Sequence, residues 1–452
     1  MGKTFRPWDV DQGRLFPPAP KDLLPARHLA HFIREVVREE LDFSAIYARY
    51  EELRGYPPYH PGMMTALLLY GYCRGIYSSR RLEQACEERV DFMVLTGMEK
   101  PDHSTICQFR TDHRTALSAL FVQVLALCRE AGMVKLGHVA LGGTKVKANA
   151  SKHAAMSYKR MAEAEPELAK LVSDWLEQAK STDEKEDDEH GPGNRGDEIP
   201  DHIREKMKRL AKIRAAMERL EARAEEDAER LRNERAEKAA AEGREPAGRE
   251  PKALQGKPED KAQSNFTDPE SRIMKTTDGY EQAFNCQAAV DAESQVIVAQ
   301  KVTNRQNDGG ELVPMVEQIE EHTGQRPVQV SADSNYCSEA NLAAMEERRI
   351  DAYIATGRQK HGSASATDDA SKKQGPRAEA MREKLRAGGF TGPYRLRKQV
   401  VEPVFGQIKQ ARGFRQFLHR GLRKVATDGS LLCSTHNLLK LFAVRGAMPA
   451  KV

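Results

Sequence analysis

The sequence predicts an α/β protein: a mixed sheet flanked by helices, with an all-α N-terminal domain and a charged helical insertion. Three observations predict it. Apolar residues recur at helical spacing from about residue 25 to 135. Short apolar runs of strand character then alternate with helical segments near 138–147 and again beyond 266. Between them, residues 152–265 are dominated by Ala, Glu, Arg and Lys. At 452 residues the chain can bury one large core or two to three ordinary ones.

Residues 1–24 read as an N-terminal tail and 25–135 as a helical domain. Leu29, Phe32, Ile33, Val36 and Val37 mark a helix within 28–49, and 61–77 is a compact apolar helix. Ser78 and Ser79 form an N-cap with Glu83 behind them. Gly97 ends the next short helix, and Pro101-Asp102-His103-Ser104 opens another. Short helices joined by polar turns suit a helix-turn-helix-like DNA-binding module, and equally a small bundle with another task.

The hydrophobic period then changes. His138–Leu141 and Thr144–Lys147 predict two short strands around a Gly-Gly break, a first hairpin spanning 136–151. Residues 181–200 have the composition of a disordered linker. Residues 201–241 form one amphipathic helix, with Met207, Leu210, Ile213, Met217 and Leu220 on one stripe, a candidate coiled-coil arm. Residues 242–270 are a second linker. The remaining domain, 266–445, predicts a hairpin at 283–291 and 295–302. A helix at 312–322, a strand at 328–333 ending in Asp333, a helix at 339–348 and a strand at 352–355 follow. Residues 364–390 are polar and read as mobile, and a final helical region runs from Glu402 to Leu441. This order matches the ribonuclease-H-like fold, with 152–265 inserted between the first two sheet strands.

Bulk composition sets further limits. Apolar residues make up 39% and charged residues 31%, and no run approaches the ~20 apolar residues of a membrane span, so no membrane partner and a cytoplasmic location are expected. Seven cysteines without CxxC spacing argue against a disulfide framework. His103, His113, His153 and His436 lack the clustered spacing of structural zinc. The net charge is only +4, but residues 372–424 hold fifteen Lys or Arg against three acids, a local excess of twelve. That sign suits a surface facing phosphates, and equally a solvated basic face.

Several long segments resemble the DDE transposases of bacterial insertion sequences, in the branch with an InsH-like N-terminal domain. They are GHVALGGTKVKANASKHAAMSY (137–158), SRIMKTTDGYEQAFNCQAAVDAESQVIVAQ (271–300), VSADSNYCSEANL (330–342), YRLRKQVVEPVFGQIKQARGFRQFLHRG (394–421) and STHNLLKLF (434–442). The resemblance covers nearly the whole chain apart from the charged insertion. It implies metal-dependent DNA strand cleavage by water and strand transfer by the new 3′ hydroxyl. Two Mg²⁺ ions about 3.5–4 Å apart would be held by three carboxylates. Asp333 matches the second acid and Glu402 the third; both are candidate metal ligands. Lys409 follows Glu402 at the family's spacing, two helical turns on, as a phosphate contact. Tyr394 and Lys398 sit roughly where the family has an upstream Tyr and Arg. Pro403 fits if Glu402 lies in the first turn of its helix.

The first acid position departs from the pattern. Where the family has Asp, this chain has Gly142, which carries no ligand atom, and 138–158 contains no Asp or Glu at all. Asp291 is the nearest acid on a neighbouring predicted strand. Activity of this copy is therefore expected to be impaired. Candidate DNA contacts are Arg110, Lys145, Lys147, Lys398, Arg412 and Arg415, and Phe405, Phe414 and Phe417 interleave with the last of these. The expected partners are element-end and target DNA and further copies of the chain. Two alternatives stand beside an active transposase. One is a DNA-binding relic or inhibitor without catalysis; the other is a structure-specific nuclease on the same fold.

Overall fold

The computed structural model describes residues 19–50, 57–190, 199–241, 255–276, 279–357, 375–389 and 392–447. The N-terminal region is helical, as its periodicity predicts: α1 (Leu29–Glu35), α2 (Ser44–Tyr47), α3 (Pro61–Cys73), α4 (Ser79–Glu88), α5 (Val90–Thr96), α6 (His103–Asp112) and α7 (Arg114–Glu130). The stretch 28–49 is broken into short pieces by a π-helical turn at 36–40. Pro61 opens α3 at a position where its missing N–H costs nothing. Asp102 caps α6 by accepting from the backbone N–H groups of Ser104 and Thr105. Gly97 ends α5 in the left-handed conformation. Ser78 precedes α4 without making a capping bond, and Glu83 instead meets His103 Nδ1 at 2.9 Å.

The predicted hairpin at 136–151 is a single strand, β1 (His138–Lys147). Two glycines do not interrupt it because its partner supplies an unbroken antiparallel ladder, from Val139 opposite Asp291 to Lys147 opposite Ala283. The chain then enters the insertion through β2 (Ala155–Ser157), α8 (Tyr158–His190), α9 (Asp201–Ala241) and β3 (Gln263–Asn265). Residues 181–190, assigned to a linker from composition, continue α8; 191–198 and 242–254 lie outside the described residues. Ile213, Ala216 and Leu220 of α9 pack on Met161 and Leu168 of α8, so the apolar stripe is covered within the chain. Strands β2 and β3 pair at the base of this helical hairpin.

The rest of the chain builds β4 (Arg272–Thr276), β5 (Gly279–Asp291), β6 (Ile297–Thr303), α10 (Leu312–Thr323), β7 (Gln329–Ala332), α11 (Glu339–Glu347) and β8 (Asp351–Ile354). Then follow α12 (Pro376–Gly388), α13 (Leu396–Gly406) and α14 (Leu422–Ala447). Part of the segment read as mobile, 364–390, is therefore the helix α12; its residues 364–374 and 390 lie outside the described residues. The final helical region is also divided: a π-turn closes α13, and residues 412–421 cross to β1, where Phe417 N–H meets Lys147 O at 2.9 Å.

The described strands, apart from the β2–β3 pair, form one mixed sheet. Its order is β6-β5-β1-β7-β8, with β4 sharing the outer edge of β5. Strands β6, β5 and β1 are antiparallel neighbours; β7 and β8 run parallel to β1. Helix α14 joins the sheet to the N-terminal helices. Its Asn437 caps the backbone of Ile297 in β6 from both sides, accepting from the N–H at 2.8 Å and donating to the carbonyl at 2.8 Å. On its other side Asp428 accepts from Tyr72 at 2.7 Å, Ser118 donates to Thr427 at 3.2 Å, and Phe442 lies 5.3 Å from Phe32. No helix among the described residues is long and apolar enough to cross a membrane.

Asn437→Leu leaves a buried amide and a buried carbonyl of β6 without partners. The expected loss is on the order of 2–4 kcal/mol of unfolding free energy, read as a lower urea midpoint at unchanged slope. A midpoint equal to that of the parent would refute the assigned role.

Candidate active site

The site grows from the end of the parallel part of the sheet. Strand β7 is in register with β1 up to Ala140 and Ser331, so two residues further on Asp333 comes alongside Gly142. Asp333 leaves β7 and turns the chain, accepting from Asn335 N–H at 2.9 Å. Burial raises its pKa above the usual carboxylate range, against the opposing pull of Arg397 and of that backbone bond. Helix α13 lies across β1 at this level, and its Glu402 is exposed.

Glu402 is the seventh residue of α13 and so does not lie in the first turn, where Pro403 would have been harmless. Pro403 has no N–H for the carbonyl of Gln399. That carbonyl instead accepts from Gln295 Nε2 at 3.1 Å, which lets the helix continue through the proline.

Arg397, which sequence reasoning passed over in favour of Lys398, is the residue that links these positions. It is 8% exposed. Its Nη2 lies 3.2 Å from Asp333 Oδ2, its Nε 3.3 Å from the carbonyl oxygen of Leu141, and its Nη1 4.0 Å from Glu402 Oε1. The signal was an arginine on the same face of the helix as buried Val400, Val401 and Val404. Lys398, one residue on, is exposed.

Both glycines of β1 face filled space. A Cβ on Gly142 would fall 3.0 and 3.1 Å from the two Cγ atoms of Val401 and 3.5 Å from Phe405. A Cβ on Gly143 would fall 2.5 Å from Gln287 Nε2 and 2.9 Å from Asp308 Oδ1. Asp308 was missed because it follows β6 in a polar stretch without strand or helix periodicity. It is 5% exposed. Its Oδ1 accepts from Lys145 at 2.9 Å, Asn285 at 2.6 Å and Gln287 at 2.7 Å, and its Oδ2 from Asn335 at 3.2 Å. Burial opposes this carboxylate, but the bonds from Asn285 and Lys145 outweigh it and hold the pKa below its ordinary value. Asp291 sits at the far end of β1, where it accepts from the N–H groups of Lys135 and Leu136, and so cannot stand in at position 142.

The basic candidates separate by exposure. Arg110 is 4% exposed and donates to the carbonyl of Tyr77, so it is not available to a phosphate. Arg412 is 9% exposed and donates to Leu432 O and Thr435 Oγ1, serving the core in the same way. Both were candidate DNA contacts; tertiary packing turns them inward. Lys145 is tied to Asp308, and Lys147 lies 3.5 Å from Glu281. Half-buried Lys409 donates to Lys145 O at 2.7 Å. Arg415, Arg420, Arg423 and Lys424 are exposed. Of the three phenylalanines that interleave with these cations, Phe414 and Phe417 are core residues.

The residues present do not fit a two-metal centre. Asp333 and Glu402 both face the guanidinium of Arg397, and Gly142 on the adjoining strand carries no ligand atom. Among the described residues no three His, Cys, Asp or Glu side chains are grouped as metal ligands.

Two family comparisons bear on this arrangement. Residues 18–112 match the family described as Transposase domain (DUF772), and residues 254–438 match the family described as Transposase DDE domain. No curated protein and no solved structure matches the chain.

The Asp308 network makes a pH-dependent prediction. A carboxylate whose folded pKa lies below its ordinary 3.8 contributes stability above that pH and loses it as pH falls through the folded pKa. Asp308→Asn strands Lys145 and is expected to cost on the order of 3 kcal/mol at neutral pH. The difference from the parent should narrow as the pH drops below 3.8. A pH-independent difference in urea unfolding would count against this account.

Proposed function

This chain belongs to the DDE transposases of insertion sequences, and we propose that it binds the DNA of element ends without carrying out strand cleavage or joining. The observation that carries the proposal is the space beside Gly142. Gly142 carries no ligand atom, and Val401 packs so close that a Cβ there would fall 3.0 and 3.1 Å from its two Cγ atoms, so a side chain at 142 fits only if Val401 gives way.

The sheet order supports a ribonuclease-H-like reading of the domain. In that reading Asp333 ends the fourth core strand and Glu402 stands on α13, the second helix after the fifth, beside the first strand at Gly142. In-line attack on a phosphodiester requires the nucleophile and the leaving oxygen to be stabilised together. With two carboxylates and a guanidinium, no group in this chain is placed to do both. Glycine at 142 removes the acid nearest the strand centre, and Lys409 is anchored to a strand carbonyl.

Binding draws on different residues. Arg415, Arg420, Arg423 and Lys424 are exposed on or next to the segment that crosses from α13 to β1. Exposed cations give sequence-independent affinity for phosphates by releasing counterions. The N-terminal helices are the candidate readers of end sequence, and α14 packs directly against them.

Duplexes carrying the ends of the parent element test both halves. Binding is expected at low salt. Arg415→Ala, Arg420→Ala and Lys424→Ala should each flatten the plot of log affinity against log salt by about 0.9, the slope carried by one neutralised phosphate. Absence of binding at low salt would remove the proposed function. In Mg²⁺ buffer the parent should not cleave. Gly142→Asp should recover little, because its Cβ meets Val401, whereas G142D combined with Val401→Ala should recover cleavage. Cleavage by the parent at the level of the double variant would show that the first acid has been misassigned.

A further inference from the structure

We propose that the outer face of α9 is a second contact with duplex DNA, extending along the helical arm the basic surface beside the pocket. The proposal rests on the reading that the chain binds DNA, and it adds a surface to that reading.

Residues 206–217 of α9 hold five Lys or Arg and no acid. Arg214 is committed within the arm, 2.7 Å from Glu165 on α8. Lys208, Lys212 and Arg219 are exposed and have no ion-pair partner among the described residues. They recur at steps of four and seven, so they share one face of the helix. The apolar stripe of Ile213, Ala216 and Leu220 packs on α8 and turns that face outward.

Folding does not ask for this pattern. Lys208 and Lys212 are like charges one turn apart, which weakens a helix. The other half of α9 is built as a solvated helix face is expected to be. Arg223 and Arg230 flank Asp227 at 3.9 and 2.8 Å, and Arg232 meets Glu225 at 3.1 Å. Those cations are neutralised along their own helix; Lys208, Lys212 and Arg219 are not.

The arm that bears this row starts beside the cations proposed to meet phosphates. Tyr158 donates to Glu221 at 2.6 Å and Glu165 meets Arg214, so α9 runs antiparallel to α8 and Arg219 stands near the base of the arm. That base is bonded to the segment carrying Arg420, Arg423 and Lys424. Asn149 donates to Leu418 O at 2.7 Å, Arg420 Nε to Asn149 O at 3.0 Å, and Leu422 N–H to Glu270 at 2.8 Å. Asn149 and Glu270 lie where the chain enters and leaves the insertion. From Arg219 to Lys208 the row rises about 16 Å along the helix, roughly half a turn of B-form duplex. A duplex carries one charge about every 1.7 Å of its axis, so a straight row of cations meets phosphates whatever the sequence.

Fluorescence anisotropy of the full chain, with a labelled random-sequence duplex and with an element-end duplex across a salt series, tests the proposal. The combined variant Lys208→Ala, Lys212→Ala and Arg219→Ala is expected to flatten the plot of log affinity against log salt by about 2.7, three neutralised phosphates at about 0.9 each. Lys170→Ala, which removes an exposed cation of α8, is expected to leave the slope unchanged. All four positions are exposed and alanine favours the helix, so helical circular dichroism should match the parent. An unchanged slope in the triple variant overturns the proposal and leaves end binding through the other cations standing. An equal loss per charge in K170A overturns it too, because the outer face of α9 would then have no special part. If the triple variant loses slope while the parent shows no preference for element ends, the arm contact stands and end recognition falls. A parent that binds neither duplex overturns both.

Discussion

Strand β1 has no free volume beside positions 142 and 143, and the arrangement of the site follows from that constraint. On one face, Gly142 lets Val401 approach to van der Waals contact with the strand backbone. On the other, Gly143 leaves room for Gln287 and the carboxylate of Asp308. A close-packed interior holds few voids, so a missing side chain is replaced by whatever can close in. Here helix α13 closes in, and its approach brings Arg397 within reach of Leu141 O and Asp333. An acid at 142 would have to displace Val401 by a few tenths of an ångström. It would do so against a helix already fixed by the contact of Gln295 with Gln399.

The polar network beneath Gly143 stabilises the same region from the opposite side. Asp308 accepts bonds from β1, β5 and the turn after β7, so one carboxylate joins three segments that meet only at the end of the sheet. Its partner Asn335 also gives its backbone N–H to Asp333. The position of Asp333 is therefore set from two directions, by Arg397 through its carboxylate and by the Asp308 network through its turn. Helix α14 extends this rigidity to the N-terminal helices. A hydrogen bond from Tyr72 to Asp428 and paired bonds from Asn437 to β6 lie on opposite sides of one helix. A load placed on the N-terminal helices by bound DNA would therefore reach the sheet through packed, hydrogen-bonded contacts and not through a linker.

Much of this was legible in the sequence because it depends on local pattern. The helices of 25–135, the β5–β6 hairpin, the alternation from α10 to β8 and the placement of Asp333 at a strand end all follow from hydrophobic period and turn residues. What sequence reasoning missed depends on contacts distant in the chain. The Gly-Gly pair suggested a break, but a ladder with β5, some 140 residues on, holds it extended. The amphipathic stripe of α9 suggested a coiled-coil arm, and its partner surface lies on α8 of the same chain. Arg110, in the helical N-terminal domain, and Arg412, in the basic stretch 372–424, were both candidate DNA contacts, and only tertiary packing shows that each serves backbone carbonyls in the core. Asp308 and Arg397 carry no motif by themselves; their roles come from the residues they meet.

The charge balance of the pocket depends on Gly142 and Arg397 together. Three acids with one arginine would leave a net charge of about −2, which favours divalent cations at short range. With glycine at 142 the same pocket holds two acids and one arginine, about −1, and its buried carboxylate already has a cationic partner. A pocket without a carboxylate at 142 offers one ligand fewer and a weaker field for a metal ion. The guanidinium then satisfies what remains, through a carbonyl that the missing acid's own strand supplies. Such a pocket is internally balanced and structurally intact, so loss of strand chemistry need not weaken the fold. The exposed cations beside the pocket, Arg415, Arg420, Arg423 and Lys424, are supplied by residues outside it.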